Sequence, residues 1–171
     1  MIDTFRARAE EAQSHVYLLD GWPEVVALAF DLAHGERVAV AASLARDVPL
    51  LTDLLGARVL LPDAEAPAVS VADAAVGIVR GALAVAETGS VLMIEPELTD
   101  RCVSMLSHAL IQVVDRARVV ESLDAVAEAL AAAGPPAYAS LITGPSRTAD
   151  IERSLTIGVQ GPREVHVVVL G

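Results

Sequence analysis

The segment Val165-His166-Val167-Val168-Val169-Leu170 is apolar at nearly every position and lacks the alternation of a strand with one wet face. A strand of that kind is buried on both sides, which is the situation inside a parallel sheet covered by helices. Short runs of the same character recur at Val38-Ala39-Val40-Ala41, Val59-Leu60-Leu61, Val76-Gly77-Ile78-Val79, Val91-Leu92-Met93-Ile94 and from Leu106 to Val114. Between the first two, Leu50, Leu51, Asp53, Leu54 and Leu55 before Gly56 read as a helix, so this stretch is strand, helix, strand with a right-handed crossover. Aromatic residues are only 3% of the 171, so Val, Ala and Leu have to fill the interior of a chain that is 54% hydrophobic. These features predict an α/β fold: a single domain over residues 1–171 with a mostly parallel sheet flanked by helices.

Asp3 is placed to cap a first helix in which Phe5, Ala9, Ala12, Val16 and Leu19 fall near helical spacing, with Gly21 ending it. Pro23 suits the first turn of a second helix closed by Gly35, so residues 1–35 are expected to be helices packing on the domain. Ser122 or Asp124 starts a further helix, through Leu130 to Gly134-Pro135-Pro136. Residues 62–72 and Pro96 to Arg101 read as polar connections. Leu83 to Ala86 and Val91 to Ile94 flank Glu87-Thr88-Gly89-Ser90, with Thr88-Gly89 as a hairpin corner. No internal repeat or linker divides the chain.

Several function classes fall away on charge and residue type. The formal net charge is −11, and nucleic acid or an anionic membrane surface rewards the opposite sign. All twelve basic residues are arginines, which removes a Schiff-base lysine and a P-loop lysine. The one cysteine, Cys102, cannot hold an iron–sulfur cluster, and no flavin or dinucleotide fingerprint is present. His15, His34, His108 and His166 have no ligand spacing, so no metal and no cofactor is expected in this chain. No apolar run approaches the roughly 20 residues of a membrane span, and the first residues lack an apolar leader core; a cytoplasmic location is expected.

The densest chemistry lies in Leu141-Ile142-Thr143-Gly144-Pro145-Ser146-Arg147-Thr148-Ala149-Asp150-Ile151-Glu152. An apolar run stops at a Gly-Pro turn, followed by hydroxyls, a guanidinium and two carboxylates. In one reading, Ser146 or Thr148 starts a short helix whose free N–H groups, with the Arg147 fork, face a carboxylate or phosphate. In the other, the hydroxyls only cap that helix, Asp150 and Glu152 complement its dipole, and Arg147 pairs with one of them. Glu87 has a similar pair of readings, as a carboxylate binding backbone N–H groups across its turn or as a catalytic or ligand-binding group.

Three segments together resemble the LUD domain family, named for lactate utilisation, and most of all its lactate-utilisation protein C branch. They are Ala84-Val85-Ala86-Glu87-Thr88-Gly89-Ser90, then Ile142 to Glu152, and Gly158-Val159-Gln160-Gly161-Pro162-Arg163-Glu164-Val165-His166-Val167. The resemblance implies a fold similar to the ribose-phosphate isomerase, glucosamine-phosphate deaminase and CoA-transferase group. It implies an accessory subunit of a lactate-oxidising system in which partner subunits carry the iron–sulfur clusters. The ligand-binding candidates are Thr88, Gly89, Thr143, Gly144, Ser146, Arg147, Thr148 and Asp150, around a small carboxylate or phosphate, with Glu87 as the catalytic candidate should the chain be an enzyme of the CoA-transferase-like group. A binding module for small anions, nucleotides or CoA esters is the remaining alternative. Where many relatives carry a Thr-Gly-Ala-Asp-like string, this chain has Val79-Arg80-Gly81-Ala82 and so lacks that carboxylate. Both motif turns follow apolar strands, so Glu87, Thr88 and the turn from Thr143 to Asp150 are expected together at the carboxyl edge of the sheet.

Overall fold

A computed structural model describes residues 1–148, 156–157 and 161–171. In chain order it begins with α1 (Ile2–Glu11), β1 (His15–Leu19), α2 (Trp22–Ala33), β2 (Arg37–Val40), α3 (Ala42–Asp47), α4 (Pro49–Leu55) and β3 (Val59–Leu60). A one-turn α5 (Pro67–Ser70) leads to β4 (Ala74–Arg80), β5 (Leu83–Val85), β6 (Ser90–Ile94), α6 (Leu98–Leu106) and β7 (Ala109–Asp115). Then come β8 (Val119–Val120), α7 (Leu123–Ala133), β9 (Ala139–Ile142), a two-residue pair of β10 (Arg147–Thr148) and β11 (Thr156–Ile157), and β12 (Glu164–Leu170).

Six strands form the main sheet in the order β1-β12-β7-β4-β2-β3, and every neighbouring pair is parallel. In β12, Val165, Val167, Val168 and Val169 are all buried, so both faces of the strand are dry, as an unbroken apolar run requires. A smaller sheet, β8-β5-β6-β9, contains the expected hairpin of β5 and β6, and β9 pairs antiparallel with β6. Among the described residues no helix is long and apolar enough to cross a membrane.

The first expected helix stops early. Gln13 takes φ +69 and the Ser14 N–H folds back to the Ala9 carbonyl, which closes α1 after Glu11. Residues His15 to Leu19 then form β1, an edge strand of the main sheet, so residues 1–35 contribute more than packing helices. Val16 and Leu19 had extended the helical spacing by coincidence; pairing with β12 decides the matter, with His15 opposite His166. Their rings stack with centroids 4.9 Å apart, and the Tyr17 hydroxyl lies 3.3 Å from His166 Nδ1. Asp3 is not the cap of α1, because that helix already begins at Ile2.

Pro96 to Arg101 is not simply a connection, since α6 begins at Leu98 and displaces the start of the next strand from Leu106 to Ala109. The buried side of α6 holds Asp100 and Ser104 beside Cys102 and Val103, and those polar residues hid its helical pattern. Each has a partner inside: Asp100 Oδ1 accepts from the Ser43 N–H at 3.2 Å, and Ser104 Oγ donates to Glu95 Oε2 at 3.0 Å.

Candidate functional site

The motif residues are arranged along α1. At its amino end, Met1 and Thr4 line a hollow with Glu87 and Glu121. In its last turn, the backbone of Arg8 and Ala9 packs against Gly89, where a Cβ would overlap it. At its carboxyl end the Ala12 carbonyl presses on Gly144, and Arg147 Nη2 donates to the same carbonyl at 2.6 Å. Both glycines have positive φ, +68 and +71, so shape and backbone conformation each call for glycine there. The close approach they permit is to α1 itself.

This arrangement separates groups that the sequence was expected to bring into one site. Glu87 shares its hollow with Met1 and Thr4, whereas Arg147 bonds Ala12, and the eight steps from Thr4 to Ala12 span about 12 Å at the α-helical rise. Glu87 Oε2 accepts from the Leu123 N–H at 3.1 Å, placing a carboxylate on the first turn of α7, where Ser122 makes no side-chain cap. Arg147 satisfies a carbonyl at the end of α1, where a cation also complements the helix dipole. Arg147→Ala should therefore lower stability by about 0.5–1.5 kcal/mol, the worth of an ordinary hydrogen bond, in denaturant melts of both proteins. A loss above about 3 kcal/mol would mean the guanidinium does more than cap.

The expected short helix beyond Pro145 is not formed at Arg147 and Thr148, which are strand β10, pairing with Ile157 and Thr156. Asp150, Glu152 and the segment 158–160 lie outside the described residues. The Thr143 to Arg147 turn is also at the other edge of the main sheet from the one expected. The Ser146 N–H donates to the Pro162 carbonyl at 2.9 Å, just before β12 starts, and Ala12 just precedes β1. Both are amino ends of sheet strands.

The two motif segments still meet. Antiparallel pairing of β6 with β9 sets Ser90 beside Thr143, whose hydroxyl oxygens are 2.6 Å apart. Thr88 Oγ1 is buried with no hydrogen-bond partner among the described residues. Behind the turn lies a cavity of about 330 Å³, lined by Thr143, Gly144, Ser146, Ser140 and Gly161, by the apolar side chains of Met105, Tyr138, Ile142 and Val165, and by Glu95 and Ser104.

Glu95 is the residue that sequence reasoning missed. It follows β6 directly, is 4% exposed, and keeps Oε1 without a partner among the described residues while Ser104 donates to Oε2. Burial pushes its carboxyl above the ordinary range; Asp100 adds to this, and the Ser104 bond and the Arg101 guanidinium oppose it. Since Oε2 already accepts from Ser104, Oε1 is the oxygen free to carry the proton whenever the carboxyl is in its acid form. The only sequence signal was a carboxylate directly after the apolar run Val91 to Ile94. Among the described residues no group of His, Cys, Asp and Glu is arranged to hold a metal.

A family model described as the LUD domain matches residues 63–170. Lactate utilization protein C of Bacillus subtilis is 34% identical over 100 residues, which are 56% of this chain and 42% of that protein. Lactate utilization protein C of Halalkalibacterium halodurans is also 34% identical over 100 residues, covering 55% and 44%, and Lactate utilization protein C 1 of Bacillus mycoides is 32% identical over 99, covering 54% and 42%. The match thus spans less than half the length of each of these relatives. A crystal structure of a DUF162 family protein from Deinococcus radiodurans superposes with a TM-score of 0.71 at 22% identity, covering 99% of this chain and 96% of that one, a likeness of fold.

Proposed function

The chain belongs to the LUD domain family, and from that premise we propose that it serves lactate utilisation as an accessory protein, holding a small monocarboxylate while iron–sulfur partner subunits carry the electrons. The relatives named Lactate utilization protein C support the process. The division of labour rests on the chain's single thiol, Cys102, which is buried in α6 and cannot by itself hold a cluster. The alternative of an enzyme with Glu87 as its catalytic group is less well supported, because that carboxylate is engaged with the first N–H of α7.

One observation carries the ligand reading: Glu95, whose Oε1 is buried and unpartnered among the described residues, lines a cavity together with Thr143, Gly144 and Ser146. A protonated Oε1 donates to a ligand carboxylate in a short charge-assisted bond, and the Thr143 and Ser146 hydroxyls add donors. The ligand's methyl end would lie against Met105, Ile142 and Val165. Positive charge is not required, since the proton on Glu95 takes the part the sequence had suggested for Arg147.

Calorimetric titration of lactate and pyruvate across pH tests this. Binding needs the acid form, so affinity should be full below the raised pKa of Glu95 and fall as pH rises through it. Glu95→Gln, which keeps a donor, should bind without that pH dependence, and Glu95→Ala should bind about tenfold more weakly or worse. A wild-type affinity indifferent to pH removes Glu95 from the site. Lactate turnover by the purified chain with an artificial electron acceptor and no partner would defeat the accessory role.

A further inference from the structure

The opposite edge of the main sheet contains a second cavity, lined neither by Glu87 nor by any residue of the Thr143 to Thr148 turn. From β2 the chain steps to β3 on one side, whereas β4, β7 and β12 succeed one another toward the other, so the sheet divides between β2 and β4. In open α/β sheets, ligands lie outside the carboxyl ends of the strands at such a division. Here a crevice of about 420 Å³ occupies that place. Its lining includes Ser43 and Asp47 of the helix following β2, Arg80 at the end of β4, Asp115 at the end of β7, and Arg118 just beyond it.

Two guanidiniums face one crevice in a chain whose net charge is −11. Arg80 Nη1 is 3.8 Å from Asp47 Oδ2, a long contact between side chains that are 39% and 63% exposed, so little holds it against a competing anion. Its guanidinium also lies 5.7 Å from the Trp22 ring centre, which limits where the fork can swing. Arg118 has no ion-pair partner among the described residues. Among the described residues neither arginine is engaged with a main-chain carbonyl as Arg147 is. Behind Arg80, a Cβ on Gly81 would overlap Val91 and Val114, so close packing fixes the end of β4 that carries it. The two carboxylates leave the lining formally neutral, which disfavours a bare anion and favours a ligand that also offers hydroxyl protons.

We propose that this crevice binds a small oxyanion bearing hydroxyl groups, a phosphorylated polyol or a hydroxylated carboxylate, with Arg80 and Arg118 on the anionic end and Asp47 and Asp115 accepting from the hydroxyls. The arginine fork suits the paired oxygens of either anion, and only the geometry of the anionic end separates the two sources. The crevice shares no lining residue with the Glu95 cavity, so a failure of Glu95→Gln to alter lactate binding does not by itself bear on it.

The test is calorimetry and thermal shift on the full chain at matched ionic strength, with glycerol phosphate, glycerate, inorganic phosphate and glycerol as probes. Glycerol phosphate or glycerate should bind at least about tenfold more tightly than inorganic phosphate or glycerol, as charge-assisted and neutral contacts together allow. Whichever of the two binds more tightly identifies the phosphate or the carboxylate as the anionic end. Arg118→Gln should abolish the response, and Asp115→Asn should reduce the preference over inorganic phosphate. Both side chains are exposed, and unchanged melting temperatures without ligand establish that the variants fold. No binding of either hydroxylated anion, binding no tighter than inorganic phosphate, or an undiminished response in Arg118→Gln overturns the proposal.

Discussion

Gly144→Ala is expected to destabilise the chain by about 2–5 kcal/mol. Two costs combine: a side chain at φ +71 is strained by about 1–2 kcal/mol, and forcing atoms into a filled space costs about 1–3 more. The obstacle is the Ala12 carbonyl oxygen, a backbone atom at the end of α1 that cannot rotate away as a flexible side chain would. Gly134 provides the control. It has φ +84 and ψ 156 and nothing within 4 Å of where its Cβ would be, so Gly134→Ala should lose only the backbone strain, about 1–3 kcal/mol. Urea melts of the two variants decide the point, and equal losses would mean that α1 does not press on the motif turn.

Phe5→Ala should cost about 3–5 kcal/mol, the usual range for removing a buried ring. Phe5 is fully buried and, with Ala9, forms the inward face of α1. The chain has only two phenylalanines, and its core is otherwise built mainly of Val, Ala, Leu and Ile. Small neighbours of that kind have little reach with which to close a ring-sized void, so the upper half of the range is expected. The urea midpoint should fall with the slope unchanged, as for a loss of stability without a change in exposed surface. A loss under about 1 kcal/mol would show that α1 contributes little to the fold.

The parallel sheet was legible because burial on both faces writes itself as unbroken apolar runs, and Val165 to Leu170 could be read in no other way. The hairpin at Thr88-Gly89 was legible because a tight turn needs a residue that tolerates positive φ. Two elements escaped for opposite reasons. In β1, Val16 and Leu19 continued a helical spacing that the backbone abandons at Gln13, and only contact with the far end of the chain settles it. In α6, Asp100 and Ser104 face inward, because each meets a polar partner that a sequence does not display.

The candidate site divides along the same line. Thr143, Gly144 and Ser146 could be singled out locally, since a Gly-Pro turn with hydroxyls stands out in an apolar sequence. The partner of Arg147 could not, because Ala12 is remote in sequence and offers only a carbonyl. Glu95 was invisible because desolvation, a property of its surroundings, makes it unusual. Arg80 and Arg118 belong to different strand ends and share a crevice only because β4 and β7 are neighbours in the sheet.

The position of β12 between β1 and β7 bears on how the chain is made. Synthesis runs from the amino end, so β1 emerges early and its hydrogen-bonding partner emerges after every other strand of the sheet. Until then β1 can only hang from α1, and the flank of β7 that will receive Glu164 to Leu170 is an open strand edge. A nascent or prematurely terminated chain without that last strand displays two unpaired edges, one of them almost wholly apolar. The protein therefore depends on late closure, by a contact between its two ends, and folding should be slow for its size. Chaperones, or proteases clearing truncated products, would have most to recognise at the face of β7.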